Sequence, residues 1–481
     1  MAGHTVEKIG GTSMLQTEAL LENVLLAGRE GAALYNRVFV VSAYAGITNK
    51  LLEHKKTGEA GVYALFADAG PEEAWNAALD GVARAMRELN ARVLPDSADR
   101  NEADAFVEER ILGVRNCLVD LHRLCSYGHF RLEEHLLTVR EMISALGEAH
   151  SAFNTTLLLR RRGVNALLVD LTGWRDESQP RLDERIGNAF QDIDLATTLP
   201  IVSGYAQCRE ALMGTYDRGY TEVTFSRVAV LTGAREAIIH KEHHLCSADP
   251  RIVGIDKVQV IGRTNYDVAD QLSNMGMEAI HPRAAKGLRQ AGIPLRVKNT
   301  FRPDEEGTLI VGTRGTAEPG VEIVTGLKGV FAFEFFEQDM VGVKGYDAAI
   351  LDALKRHRVR IVAKTSNANT ITHFLEGSLK SIRRVEHDLT ERYSSAAIAT
   401  RKVAIVSAIG RNLRIPHLTM RALGALAEAG IEPLAFHELM RKVDLQFVLD
   451  EADFERAIGT LHAALVEQHR EMPAEGLVRA A

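Results

Sequence analysis

Six short strand-like runs, five of them largely apolar, set the first limit on how this chain can fold. Residues 5–10, Val38-Phe39-Val40-Val41, Ala166-Leu167-Leu168-Val169, Pro200-Ile201-Val202, Ala237-Ile238-Ile239 and Leu295-Arg296-Val297 have the length of strands, and the segments between them are long enough for crossover helices. A strand exposed on one face alternates apolar and polar residues. These runs barely alternate, so they suit a sheet covered on both faces. Residues 1–310 are therefore expected to form one α/β domain. Between Glu53 and Gly163 the period becomes helical: Val107, Ile111, Val114, Leu118, Leu121 and Cys125 recur at four-three spacing, as do Leu132, Leu136, Val139, Ile143 and Leu146.

The rhythm changes after the polar stretch 302–307. One block, residues 320–395, runs from Phe331-Ala332-Phe333 through a helix at 348–356 to strands at Val359-Arg360-Ile361-Val362 and Thr370-Ile371-Thr372. A second, residues 400–470, runs from Val403-Ala404-Ile405-Val406 through a helix at 418–429 to strands at 433–436 and 446–449, and closes with a helix at 452–465. Both fit the ferredoxin-like order βαββαβ, an internal duplication of about 70 residues.

Composition narrows the function. The 57 Lys and Arg face 64 Asp and Glu, a formal charge of −7, so no excess of positive charge is available to follow a nucleic-acid backbone. The four cysteines, Cys117, Cys125, Cys208 and Cys246, include no C-x-x-C pair and are too few to staple 481 residues, which points to a reducing compartment. The N-terminus lacks a basic stretch followed by an apolar core, and no apolar run approaches the roughly 20 residues of a membrane span. A cytoplasmic protein without a membrane partner is expected.

Lys8-Ile9-Gly10-Gly11-Thr12-Ser13 ends the first strand in a bend. Paired glycines let backbone N–H groups approach a ligand closely, which suits phosphate oxygens, and Lys8 adds positive charge beside them. Read alone, the same residues also make an ordinary tight turn with a solvated lysine. Neither a Gly-x-x-x-x-Gly-Lys-Ser/Thr loop nor a Gly-x-Gly-x-x-Gly fingerprint after a strand occurs, which weighs against Walker ATPases and Rossmann dehydrogenases. His240, His243, His244 and Cys246 lie close in sequence, but their spacing fits no standard zinc pattern. Packing of a nucleotide loop is the expected role there, and no metal site is assigned.

The combination is more specific than its parts. Lys8-x-Gly-Gly-Thr-Ser is followed in order by Val41-Ser42-Ala43-Tyr44-Ala45-Gly46-Ile47-Thr48-Asn49, Gly147-Glu148, Ala248-Asp249-Pro250-Arg251 and Ile280-His281-Pro282-Arg283. Then come Ala291-Gly292-Ile293-Pro294-Leu295-Arg296-Val297-Lys298-Asn299-Thr300 and Gly307-Thr308. This series resembles the aspartate kinases over nearly the whole chain. The resemblance implies a carbamate-kinase-like amino-acid-kinase domain, a three-layer αβα sandwich, followed by two ferredoxin-like ACT modules. It implies transfer of the γ-phosphoryl group of ATP, with Mg²⁺, to the side-chain carboxylate of L-aspartate, the first step of aspartate-derived biosynthesis of lysine, threonine and methionine or of ectoine. A carboxylate is already ionised at neutral pH and needs no general base, so positioning and charge neutralisation carry such a reaction.

Carried over position by position, the resemblance makes Lys8 the clamp on the transferring phosphoryl group and Gly10 and Gly11 part of the ATP site. Ser42 and Thr48 would orient aspartate, Glu148 would pair with its amino group, and Arg218 would hold its α-carboxylate. Thr221 matches a serine on the substrate side. Departures fall mainly in the nucleotide half. The family's Gly-Arg-Gly-Gly-Ser-Asp reads Asp217-Arg218-Gly219-Tyr220-Thr221-Glu222 here, so Tyr220 replaces a glycine and Glu222, which would serve Mg²⁺ or its waters, replaces an aspartate. His240-Lys241-Glu242 stands for Trp-Thr-Asp, and Glu278 for a lysine, so Lys241 is expected to restore charge beside Glu242, with Arg251 also on the ATP side. These departures, with His4-Thr5-Val6-Glu7-Lys8, resemble the aspartate kinases specialised for ectoine synthesis. ACT modules imply a homodimer or higher homo-oligomer and an amino-acid effector, expected at the loop Glu337-Gln338-Asp339-Met340. Two alternatives stay open: a catalytically weak ACT-containing amino-acid sensor, and a kinase for another small carboxylate such as glutamate.

Overall fold

The computed structural model describes residues 3–55, 57–68, 70–216, 219–277, 280–312 and 318–467. The chain forms two compact units, one of residues 1–244 with 280–312, the other of residues 245–279 with 313–481. Segment 245–279 thus leaves the span 1–310 expected for the first domain: a run of helix and turn signals does not register which core it packs on.

The strands of the first unit are β1 (Thr5–Ile9), β2 (Arg37–Val41), β3 (Ala166–Val169), β4 (Leu199–Ser203) and β5 (Glu236–Lys241). After the excursion that carries the short β6 (Arg263–Asn265) of the second unit, β7 (Leu295–Asn299) and β8 (Thr308–Val311) follow. In space they run β3-β4-β2-β1-β5-β7-β8. All neighbours are parallel except β7 and β8, which are antiparallel. Every residue of β1, β2 and β4 is buried, so both faces of the sheet centre are covered, as the unbroken apolar runs require. Helix Leu136–Arg161 packs on β3 and β4, and helix Tyr220–Leu231 packs on β1. The first of these starts after a separate 3₁₀ turn, Leu132–Glu134, which takes Leu132 out of the predicted periodic run. It ends on Arg160 and Arg161, whose charges suit a helix C-terminus.

The second unit carries one continuous six-stranded sheet, of β9 (Ile323–Phe336), β10 (Arg360–Ser366), β11 (Thr370–Glu376), β12 (Ala397–Ile409), β13 (Ala435–Glu438) and β14 (Asp444–Leu449), in the order β10-β11-β9-β12-β14-β13. The long strands β9 and β12 pair antiparallel from Ala397 opposite Phe336 to Ile409 opposite Ile323. The second half of β9 also pairs with β11, and the second half of β12 with β14. Each half of the sheet is therefore ferredoxin-like, with its own helices and core, one around Phe333, Phe335, Ile350 and Leu375, the other around Val406, Phe447, Leu418 and Ile458. The expectation of two self-contained blocks needs correction. The second block ends on a helix, and its fourth strand is Ile323–Leu327, supplied from the start of the first block, ahead of Phe331.

In the first half, Glu337 is buried, accepts a hydrogen bond from Ser395 Oγ at 2.6 Å and caps the turn Gln338–Met340. Among the described residues no helix is long and apolar enough to cross a membrane.

Candidate active site

Open parallel sheets present ligand sites at the carboxyl ends of their strands. β1 lies between β2 and β5, with Lys8 opposite Val40 and Ile239. Beyond it the chain bends at Gly10, whose carbonyl accepts from Met14 N at 3.0 Å. Gly11 follows, and a Cβ there would lie 2.5 Å from Ala43 O. No side chain fits that gap. Its carbonyl accepts from Ala45 N at 3.0 Å, and Ile9 O accepts from Ser42 N at 3.1 Å, so the bend after β1 and the loop after β2 are tied backbone to backbone.

The Lys8 ammonium points at the first turn of helix Tyr220–Leu231, with Nζ 3.2 Å from Glu222 Oε1. The other Glu222 oxygen accepts from His281 N. Burial opposes ionisation of Glu222, but the charges of Lys8 and Lys241 and these two hydrogen bonds outweigh it and hold the carboxyl below its ordinary value. Lys241 is the last residue of β5. Next to it, Glu242 accepts from Ser13 Oγ at 2.8 Å, and Ser13 Oγ lies 3.2 Å from Thr300 Oγ1. Lys8, Gly10, Gly11, Glu222, Lys241 and Glu242 thus occupy one end of the sheet.

Glu148 is a different kind of carboxylate. It sits on helix Leu136–Arg161, 2% exposed, and Oε1 accepts from Tyr220 Oη at 2.8 Å. Oε2 is buried without a hydrogen-bond partner. Desolvation dominates: the carboxyl is pushed up to about 7, with the Tyr220 hydroxyl pulling the other way. Thr221, next to Tyr220, is buried. It is admitted by Gly204, where a Cβ would fall 2.6 Å from both Thr221 Cγ2 and Val41 O. Ser42 follows directly on β2, and Thr48 lies on the short helix Ile47–Leu51. One helix turn therefore serves both carboxylates, Tyr220 reaching Glu148 and Glu222 reaching Lys8.

Two assignments stand apart. Arg218 lies outside the described residues, as does Glu278. Arg251 belongs to the second unit, where its exposed guanidinium pairs with Asp249 at 2.6 Å. The sequence reading missed a buried network behind Lys8, in which Glu7 accepts from Arg37 Nε at 2.8 Å and lies 2.7 Å from His240 Nε2. Burial opposes ionisation of Glu7, yet Arg37 and His240 hold it far below the usual carboxylate range. The available signal was a glutamate inside the first strand and an arginine directly before the apolar run Val38–Val41. His240 faces Glu7, and His244 lies 2.7 Å from Glu305. Among the described residues no three His, Cys, Asp or Glu side chains group as a metal site. Glu222 and Glu242 are the acidic groups at the Lys8 end, which matches the one or two carboxylates that usually accompany phosphate-borne Mg²⁺.

Residues 4–299 match the model of the amino acid kinase family. Over 464 residues the chain is 53% identical to the aspartate kinase Ask_Ect of Stutzerimonas stutzeri strain A1501, covering 96% of this chain and 98% of that one. The chloroplastic aspartokinase 3 of Arabidopsis thaliana is 22% identical, over 96% of this chain and 81% of its own length. Among solved structures, E. coli aspartokinase III in complex with lysine and aspartate superposes with a TM-score of 0.71 at 18% identity, covering 96% of this chain and 99% of that one. Its complex with aspartate and ADP gives 0.70, also at 18% identity.

Proposed function

The chain belongs to the amino acid kinase family and, within it, to the aspartate kinases, and from that premise we propose how its residues divide the reaction. It transfers the γ-phosphoryl group of ATP to the β-carboxylate of L-aspartate, giving 4-phospho-L-aspartate and ADP. Two anions must meet, so the barrier is largely electrostatic, and a preorganised cation lowers it most. Lys8 is that cation. The observation that carries the reading is its ammonium, fixed at the carboxyl end of the central strand, 3.2 Å from Glu222 and beside a bend no side chain can enter.

Gly10 and Gly11 turn backbone N–H groups toward the phosphates, with Lys241 and Glu242 on the nucleotide side. Glu222 fixes the Lys8 ammonium, and Mg²⁺, arriving with the nucleotide, supplies further charge neutralisation. Glu148 takes the aspartate ammonium, the partner its buried, unbonded oxygen lacks. Ser42, Thr48 and Thr221 orient the substrate, while Arg218 keeps the role the resemblance implies, on the α-carboxylate. Likeness to Ask_Ect supports the ectoine-specialised subgroup. A homodimer paired through the second unit, whose sheet ends in the edge strands β10 and β13, an amino-acid effector near Glu337 and a cytoplasmic location complete the reading.

Incubation with ATP, Mg²⁺, aspartate and hydroxylamine tests it. Formation of aspartyl hydroxamate in step with ADP is expected; ADP without hydroxamate would overturn the acceptor assignment.

A further inference from the structure

We infer that Tyr220 is a positioning residue for aspartate, holding Glu148 in the place and ionic form that receive the substrate ammonium. The inference rests on the reading of Glu148 given above. Sequence comparison files Tyr220 with the departures in the nucleotide half, where it stands for a glycine. In the fold its side chain instead reaches across to the Glu148 helix, and Oη donates to Oε1 at 2.8 Å between two residues that are each 2% exposed. The ring is held in turn by Tyr205, edge to face, with centroids 5.4 Å apart.

The chemistry follows from where the donors are. A buried carboxylate pays heavily for its charge unless hydrogen bonds compensate, and one donor of this kind favours the ionised form. From the helix that carries Glu222, the group facing Glu148 is the Tyr220 hydroxyl; from the loop after β2 it is the Ala43 N–H; from the loop after β4 the Tyr205 hydroxyl meets chiefly Glu141 and senses Glu148 only through its charge. Tyr205 Oη is itself buried without a hydrogen-bond partner. Burial still prevails over the Tyr220 and Ala43 donors and pushes the Glu148 carboxyl up to about 7. Losing the phenol would raise it further and free the carboxylate to rotate, so that less of the enzyme offers an anion to the incoming ammonium. Tyr220 also sits two residues from Glu222, so placing one side chain helps to place the other.

Steady-state kinetics of the full-length Tyr220→Phe enzyme test this, because Phe keeps the packing on Tyr205 and removes only the donor. The expected result is an aspartate KM raised about ten-fold at pH 7, an ATP KM unchanged, kcat within about three-fold, and the pH dependence of the aspartate KM displaced to higher pH by about one unit. Calorimetry of aspartate binding in two buffers of different ionisation enthalpy gives a second readout: the variant releases more protons on binding near pH 7. The same measurements on Glu148→Gln separate the two readings. If Glu148→Gln raises the aspartate KM and Tyr220→Phe changes neither KM nor pH profile, the role of Tyr220 is overturned while that of Glu148 stands. If Glu148→Gln leaves the aspartate KM unchanged, the reading beneath both fails. In the double variant Tyr220→Phe should add nothing to Glu148→Gln; a full additional effect would mean that the tyrosine acts other than through the carboxylate.

Discussion

Half-buried Glu222 lies in the first turn of one helix and buried Glu148 is touched by that same turn, yet their environments drive the two carboxylates in opposite directions. Glu222 meets two lysines and a backbone N–H, and its carboxyl lies below the ordinary value. Glu148 meets a neutral phenol and an apolar surround, and its carboxyl rises to about 7. A neutralised pair suits the end of the site where phosphates bring their own charge. An under-compensated carboxylate suits the end where the substrate brings a cation. Pairs of titratable groups pushed apart in this way are how one site divides labour between its acidic side chains.

The contrast also fixes how each carboxylate contributes to stability. Because the folded-state value of Glu148 is raised, the native protein holds a proton that the unfolded chain releases between about 4.5 and 7, so stability falls as pH rises through that window. For Glu222 the sign is reversed: its contribution is present above its unfolded value and is lost as pH falls through the depressed folded one.

The largest expected break in the comparison is at its cationic end. Lys8→Ala should lower kcat by about three orders of magnitude, because it removes charge stabilisation at the transferring group, while far-UV circular dichroism stays native. Turnover near that of the parent enzyme would refute the clamp. Next in size, Glu148→Gln should raise the aspartate KM about a hundred-fold with a smaller change in kcat, since a buried ion pair to the substrate is lost. The same variant sharpens the comparison thermally, with a melting temperature higher than the parent by about 2–4 °C at pH 8 and indistinguishable at pH 4. For the parent enzyme, the aspartate KM should rise as pH is lowered from 8 to 6, following protonation of Glu148. The smallest effect belongs to Lys241→Ala, expected to raise the ATP KM about five-fold, given that Lys8 still faces Glu222. An unchanged ATP KM would show that Lys241 does not compensate for the altered nucleotide loop.

Much of this was legible in the sequence because the cues were local. Val38–Val41, Ala166–Val169 and the bend after Ile9 announce themselves by composition and by paired glycines. The division of the C-terminal unit was only half legible. The order of strands and helices can be read, but nothing local marks Ile323–Leu327 as the partner of Ile405–Ile409, about 80 residues on. The site failed to read through in the same way. Glu7 and Arg37 are 30 residues apart and Glu148 and Tyr220 are 72 apart, so each pairing exists only once the sheet has brought its loops together. Tyr220 looked like a nucleotide-side departure because most of the other departures fall in that half, whereas its hydroxyl reaches Glu148.

The division of labour is tested most directly by the ratio of kcat/KM for aspartate over succinate, which has the same two carboxylates and lacks the ammonium. In the parent enzyme the ratio should be large, and in Glu148→Gln it should collapse toward unity because the group that reads the ammonium is gone. A ratio unchanged by that substitution would contradict the assignment of the desolvated carboxylate to the substrate end.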